Sequence, residues 1–206
     1  MSDSAIERLL APFAFSPTPL LCGQIRDYSA LLLRWNRKVA LTTVVEPSEI
    51  VRFHFGESLF ALSLLPITQG RLADLGSGAG FPGLALKLAS PDLHVTLVES
   101  NVKKAAFLSE AIRLLGLQHA EVFRGRVEDF PATLGSFDLV TARALGSHDE
   151  VLHWAMERLS PGGRLALWIS GHDASALAIE TSWVWEPPAL IPETKNRYIL
   201  VGARRQ

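Results

Sequence analysis

The chain has 206 residues, 48% of them hydrophobic, which supplies a substantial core and excludes a disordered chain. Its formal charge of −1 gives no global attraction to nucleic acid, so any RNA contact must rest on a local basic patch. The single cysteine, Cys22, excludes an internal disulfide and a thiolate metal cluster, no stretch has eighteen uninterrupted apolar residues, and the N-terminus lacks a charged-then-apolar signal pattern, so a cytosolic protein is expected.

Residues 1–69 read as a helical extension packed on a domain at 70–206. Leu21, Ile25, Tyr28, Leu32 and Trp35 recur at helical spacing and predict one amphipathic helix. After the turn-like Thr42-Thr43, Pro47 suits the first turn of a second helix, whose Ile50, Phe53, Leu59 and Leu62 face the domain and which Pro66 ends. Residues 70–73 then head a short strand, and Leu84 to Ala89 reads as a helix up to Pro91. Strands and helices alternate from there: a strand from His94 to Glu99, a helix near Lys103 to Leu115, a strand near Ala120 to Arg124 and another from Phe137 to Thr141. A helix near Asp149 to Leu159 ends before Pro161-Gly162-Gly163, and a strand follows from Arg164 to Ile169. Two late segments, Trp183 to Leu190 and Tyr198 to Ala203, pair antiparallel to close the sheet, although Pro187-Pro188 weakens the first. This alternation demands an α/β fold with a mostly parallel sheet, helices on both faces, and ligands at the carboxyl ends of the strands.

Between the first strand and its helix lies Asp74-Leu75-Gly76-Ser77-Gly78-Ala79-Gly80-Phe81-Pro82-Gly83. Glycines are needed there because a Cβ would hold a ligand off the backbone and because tight turns require φ values that other residues resist. The spacing is D-x-G-x-G-x-G, not the G-x-G-x-x-G of a dinucleotide site. An acid two residues before the first glycine suits a ligand with an ammonium group and less charge than a pyrophosphate, and S-adenosyl-L-methionine is such a ligand. Glu99 follows the loop by about the 20 residues expected of an acid gripping a ribose diol. Gly83 is followed by Leu84, not the Lys of a phosphate loop, no suitable G-x-S-x-G elbow is present, and His148 and His153 lie five apart, off the spacing of a helical metal pair. No metal is expected.

Trp35-Asn36, Leu41-Thr42, His54 with Ser58-Leu59, the glycine loop through Phe81-Pro82-Gly83, Lys103-Lys104, Phe107-Leu108, Arg126 with Glu128, and Arg143-Ala144 together resemble the glucose-inhibited division protein B family. The resemblance runs from about Tyr28 to Gly171 and more weakly to Arg197. It implies a class I methyltransferase, Rossmann-like fold and a 16S ribosomal RNA guanine-N7 methyltransferase of the small subunit that uses S-adenosyl-L-methionine. Carried over by position, Gly76 and Phe81 match cofactor contacts, Val127 and Glu128 match adenine-side contacts, and Arg143 matches an arginine between cofactor and substrate. Asp74, with Gly78 and Gly80 beside it, fits the methionine end of the wider methyltransferase pattern, and Glu99 fits the ribose. Pro82, Lys103 and Arg197 match positions tied to substrate or activity, and Lys104, Arg124 and Arg126 join them as candidate RNA contacts.

The chain departs from the family pattern where Ala40 replaces an Asn before Leu41-Thr42, where Glu57 replaces an Asp before Ser58, and where Ser170 replaces a Lys before Gly171. Ala40 and Ser170 together with the near-neutral charge keep open a methyltransferase on another RNA or a small molecule. A non-catalytic, cofactor-binding ribosome-associated factor is a third reading. A monomer is the simpler expectation.

Overall fold

The computed structural model describes residues 1–131, 133, 135–143 and 148–205. Its frame is an eight-stranded sheet built from β1 (Gln69–Leu75), β2 (Asp92–Glu99), β3 (Ala120–Arg124), β4 (Phe137–Arg143), β5 (Leu159–Ser170), β6 (Trp183–Trp185), β7 (Ala189–Leu190) and β8 (Arg197–Arg204). The order is β3-β2-β1-β4-β5-β8-β6, with β7 also on β8. The first five strands are mutually parallel, whereas β8 is antiparallel to β5, and β6 and β7 are antiparallel to β8. Side chains alternate across this sheet as the pleat requires. Leu72, Val95, Leu97 and Leu139 turn to one core, and Ala73, Leu75, Val98 and Val140 to the other.

Three helical segments of the first 69 residues share the former core with the sheet. Helix α1 (Asp3–Leu10) is capped by the Ser2 hydroxyl, and α2 (Pro19–Asn36) by the Thr18 hydroxyl with Pro19 in its first turn. Helix α1 has no counterpart among the elements expected from the sequence. The third segment, α3, spans 47–64 and is π-helical over Ile50–Gly56. This wider turn rotates the inward face, so Val51 and Phe55 are buried alongside Ile50 and Leu59, while the expected Phe53 and Leu62 are only half-buried. Helices α4 (Gly83–Ala89) and α5 (Val102–Leu114) cover the same sheet face, and α6 (His148–Arg158) and α7 (Gly171–Leu177) cover the other.

Two further expectations need correction. Pro161-Gly162-Gly163 does not separate helix from strand: β5 begins at Leu159 and runs through these residues, with a register shift against β4 between Phe137 and Leu139. Pairing with β4 overrides the turn preference, and Gly162 supplies the left-handed φ of 79° that the irregularity needs. The late segment is not one strand but β6 and β7, because Pro187-Pro188 between them cannot donate to a ladder. Among the described residues no helix is long and apolar enough to cross a membrane.

Gly56 marks how tightly α1–α3 are joined. A Cβ there would lie 2.5 Å from the ring of Phe13, which is 1% exposed and has nowhere to go. Alanine normally stabilises a helix by about 1 kcal/mol over glycine. Gly56→Ala is expected to do the reverse and lower stability by about 1–3 kcal/mol, read from urea denaturation; an unchanged or raised midpoint refutes it.

Candidate active site

The chain leaving β1 turns through Gly76, Gly78 and Gly80 with left-handed φ values of 64°, 55° and 81°. The turn is held from both sides. Ser77 donates its N–H to the Val98 carbonyl at 3.0 Å, and the Tyr28 hydroxyl donates to the Ala79 carbonyl at 2.5 Å. A Cβ on Gly80 would sit 2.1 Å from that hydroxyl, so glycine is obligatory there for space as well as for φ. Phe81 follows, stacked at 5.3 Å on Tyr28 and at 4.9 Å on His54, with Phe55 edge-on at 5.1 Å. The Phe81–Pro82 peptide is cis, and Pro82 is buried at the start of α4.

Glu99 lies at the carboxyl end of β2, and its carboxylate accepts from the Gly78 N–H at 2.9 Å and from the Asn101 N–H at 2.7 Å. Asn101 in turn caps α5 by accepting from the Lys103 and Lys104 N–H groups. Asp74 lies beneath the turn and is fully buried; the Thr141 hydroxyl donates to it at 2.8 Å from β4, and it packs against Gly83. Burial pushes the Asp74 carboxyl up to about 6, opposed by its hydrogen bonds and by the charge of Arg143.

A second cluster stands at the carboxyl ends of β4 and β5, closed by the start of β8, around a cavity of about 360 Å³ lined by Glu57, Arg143, Trp168, Ser170, Asp173 and Arg197, among others. The register that pairs Ser170 with Arg197 brings β8 to this edge. Glu57 projects from α3 with its side chain 1% exposed, 3.1 Å from Arg143 Nη2 and 2.6 Å from Arg197 Nη2. Burial pushes its carboxyl above the ordinary value, and the two arginines partly oppose that rise. Trp168 Nε1 donates to the Glu57 carbonyl at 2.8 Å, and Arg143 also donates to the Phe53 carbonyl at 3.3 Å. His54 lies 2.8 Å from the Thr42 hydroxyl, and burial together with Arg143 and Arg197 lowers its imidazole to about 3, so it is neutral near pH 7.

The structure thus brings Asp74, Gly76, Gly78, Gly80, Phe81, Pro82 and Glu99 into one turn, and Arg143 and Arg197 into one pocket. Val127 is half-buried against the second core and Glu128 is exposed, both in the turn region after β3. Lys103 stands apart, exposed beside a separate hollow with Arg34, Trp35 and Lys38. Ala144 lies outside the described residues. Ala40 is exposed, while Asn36 holds the adjacent loop by accepting from the Leu41 and Thr42 N–H groups and donating to the Thr42 carbonyl. Ser170 caps α7 and donates to Asp173 at 2.7 Å. Tyr28, Glu57, Thr141 and Trp168 carried no site role in the sequence. The signals at Glu57 were an acid inside the α3 segment and its place where the resembled family has an Asp before Ser58.

The family described as rRNA small subunit methyltransferase G matches residues 21–180. A ribosomal RNA small subunit methyltransferase G of Roseiflexus castenholzii is 43% identical over 144 residues, covering 68% of this chain and 62% of that protein. The chain therefore spans less than two thirds of that relative's length. One of the same name from Xylella fastidiosa is 38% identical over 182 residues, covering 87% of this chain and 84% of that protein. Among solved structures, the glycopeptide N-methyltransferase MtfA complexed with S-adenosyl-L-homocysteine superposes with a TM-score of 0.60 at 12% identity, covering 72% of this chain and 89% of that one. The fold is the Rossmann-like fold of class I methyltransferases. The chain belongs to the rRNA small subunit methyltransferase G family.

The Asp74 carboxyl gives a pH prediction. Its folded value, about 6, lies above the ordinary 3.8, so the native state binds the proton more tightly than the unfolded chain. Its contribution to stability is therefore fully present below 3.8 and is lost as pH rises through about 6. Relative to Asp74→Asn, the parent should lose about 3 kcal/mol between these limits; a pH-independent difference in denaturation free energy refutes the assignment.

Proposed function

We propose that this chain transfers the methyl group of S-adenosyl-L-methionine to N7 of a guanine in 16S ribosomal RNA of the small subunit. The observation that carries the reading is the juxtaposition on one sheet edge: a glycine turn held by Glu99, beside a pocket whose wall is the Arg143–Glu57–Arg197 cluster. The names of the relatives support the substrate, and the bound S-adenosyl-L-homocysteine of MtfA supports the cofactor.

The residues fit that cofactor. Three left-handed glycines leave the backbone bare, and Glu99 offers carboxylate oxygens for ribose hydroxyls at the end of β2. We assign Gly76, Gly78, Gly80 and Phe81 to its loop contacts, Asp74 to electrostatic support of the methionine end from beneath the turn, and Val127 and Glu128 to the adenine side. When bound, the cofactor supplies a methyl activated on a sulfonium. Guanine N7 has an exposed lone pair and no proton to lose, so the chain needs no general base; His54 is neutral but packed on Phe81, and Glu57 is engaged by two arginines. Rate then comes from holding nucleophile and methyl in line in a water-poor pocket, where effective molarities reach about 10⁵ M. Pro82 fixes the loop beside the reacting groups, Arg143 and Arg197 hold the target nucleotide, and Lys103 meets an RNA phosphate. The target guanine must be unstacked to enter, as RNA loops and bulges allow. We read residues 1–69 as an extension serving the domain at 70–206, and the protein as a cytosolic monomer.

Incubation with labelled S-adenosyl-L-methionine and small-subunit RNA or particles, followed by mapping of modified guanines, should yield N7-methylguanine. Its absence while calorimetry shows cofactor bound would sink the reading. Glu99→Ala should weaken cofactor binding about 10- to 100-fold, the worth of hydrogen bonds to a charged acceptor; an unchanged Kd contradicts its role.

A further inference from the structure

We propose that Glu57 is the positioning residue of this pocket: one buried carboxylate that aims the Arg143 and Arg197 guanidiniums at the space where the target nucleotide sits. The inference rests on the reading above and extends it to a residue that acts through the two arginines.

The geometry is a graded clamp. Glu57 is 1% exposed, Arg143 18% and Arg197 48%, so the acid lies at the back and the cations lead outward from it. Oε2 accepts a hydrogen bond from Arg143 at 3.1 Å, and Oε1 stands in ion-pair contact with Arg197 at 2.6 Å without a hydrogen bond among the described residues. The acid itself is pinned. Its carbonyl accepts from the Trp168 indole on β5, and the residue after it, Ser58, donates to the His54 carbonyl across the π-helical turn. Arg197 also lies over the Phe53 ring at 5.6 Å, about one helical turn before Glu57. The second acid on the pocket, Asp173, accepts the Ser170 hydroxyl at 2.7 Å, and among the described residues both arginines pair with Glu57 and not with it.

Without the Glu57 charge, two cations would converge on one site with Arg143 largely out of water. The exposed Arg197 would swing to solvent, and the half-buried Arg143 would lose its counter-charge. Arg143 Nη1 is buried and has no hydrogen-bond partner among the described residues, so one face of that guanidinium remains unspent while Glu57 holds the other. The accessible guanidinium at the mouth of the pocket is that of Arg197.

The clamp is tested first without catalysis, by NMR exchange of the arginine Nη–H protons with solvent in the full chain. Arg143 should give a protected signal in the parent and exchange at least about tenfold faster in Glu57→Gln; unchanged exchange overturns the proposal. Glu57→Asp, which keeps the charge, should retain the protection and stands in if Glu57→Gln does not fold; a loss of protection in Glu57→Asp as large as in Glu57→Ala also overturns it. In methyl transfer to small-subunit RNA, Glu57→Gln should lower kcat about 100-fold, the scale of a misplaced group, and Glu57→Asp should recover most of that loss. Adding Glu57→Gln to Arg197→Ala should cost far less than it costs the parent, since both act through one cluster; fully additive losses overturn the proposal. If the parent itself methylates no RNA, the reading of the substrate fails, and the exchange experiment still decides the clamp.

Discussion

The place a side chain would occupy at Gly80 is already filled by Tyr28. Its hydroxyl bonds to Ala79 and its ring stacks on Phe81, so the glycine turn and the first helices are one packed object. Each half satisfies the other: the Ala79 carbonyl finds its donor in Tyr28, and the buried Tyr28 hydroxyl finds its acceptor in the turn. His54 and Phe55 extend the same packing from α3, on either side of Phe81. A methyltransferase sheet with its glycine turn is a general device for holding a cofactor; here the helices before it fix how that turn is held.

The same helices carry charge to the sheet edge. Glu57 comes from α3, Arg143 from β4 and Arg197 from β8, so three elements far apart in sequence converge where the substrate is proposed to bind. Buried ion pairs are weak stabilisers, because desolvation consumes most of the Coulomb gain. Their presence in this protein is better explained by placement than by stability. Asp74 shows the complementary solution, an acid buried with no cation in ion-pair contact among the described residues. There, burial raises the carboxyl instead, and Thr141 and the turn around Gly83 supply what hydrogen bonding they can.

What was legible in the sequence was local. The strand, glycine turn and helix of residues 70–89, and the acid at Glu99, follow from periodicity and from φ requirements that few residues meet. Helix α1 was not legible, because Ile6, Leu9 and Leu10 span little more than one period; α7 begins with Gly171-His172-Asp173, where the Ser170 cap is the sole local signal. The inward face of α3 was misjudged because a 3.6-residue period does not describe a π-helical turn. Arg143 and Arg197 were named as site residues, but their pairing with Glu57 lay further out of reach. Their pairing spans 86 and 140 positions, and such convergence is a property of strand order, which no window of sequence contains.

Strand order also changes the weight of the departures from the family pattern. Ala40 lies on an exposed turn, and the loop behind it is held by Asn36, so the backbone there does not depend on a polar side chain at position 40. What Ala40 removes is a donor and acceptor facing outward. Ser170 lies in the wall of the pocket itself, where its hydroxyl caps α7 and engages Asp173. Lysine at this position would add a third cation to a wall that already holds Arg143 and Arg197, with Glu57 and Asp173 as the acids. Among the described residues, serine leaves that wall with Arg143 and Arg197 against Glu57 and Asp173, beside the His148 imidazole. Under the proposed function, attraction for an RNA phosphate then rests on Arg197 reaching outward and on cations beyond the pocket, with Lys103 proposed among them.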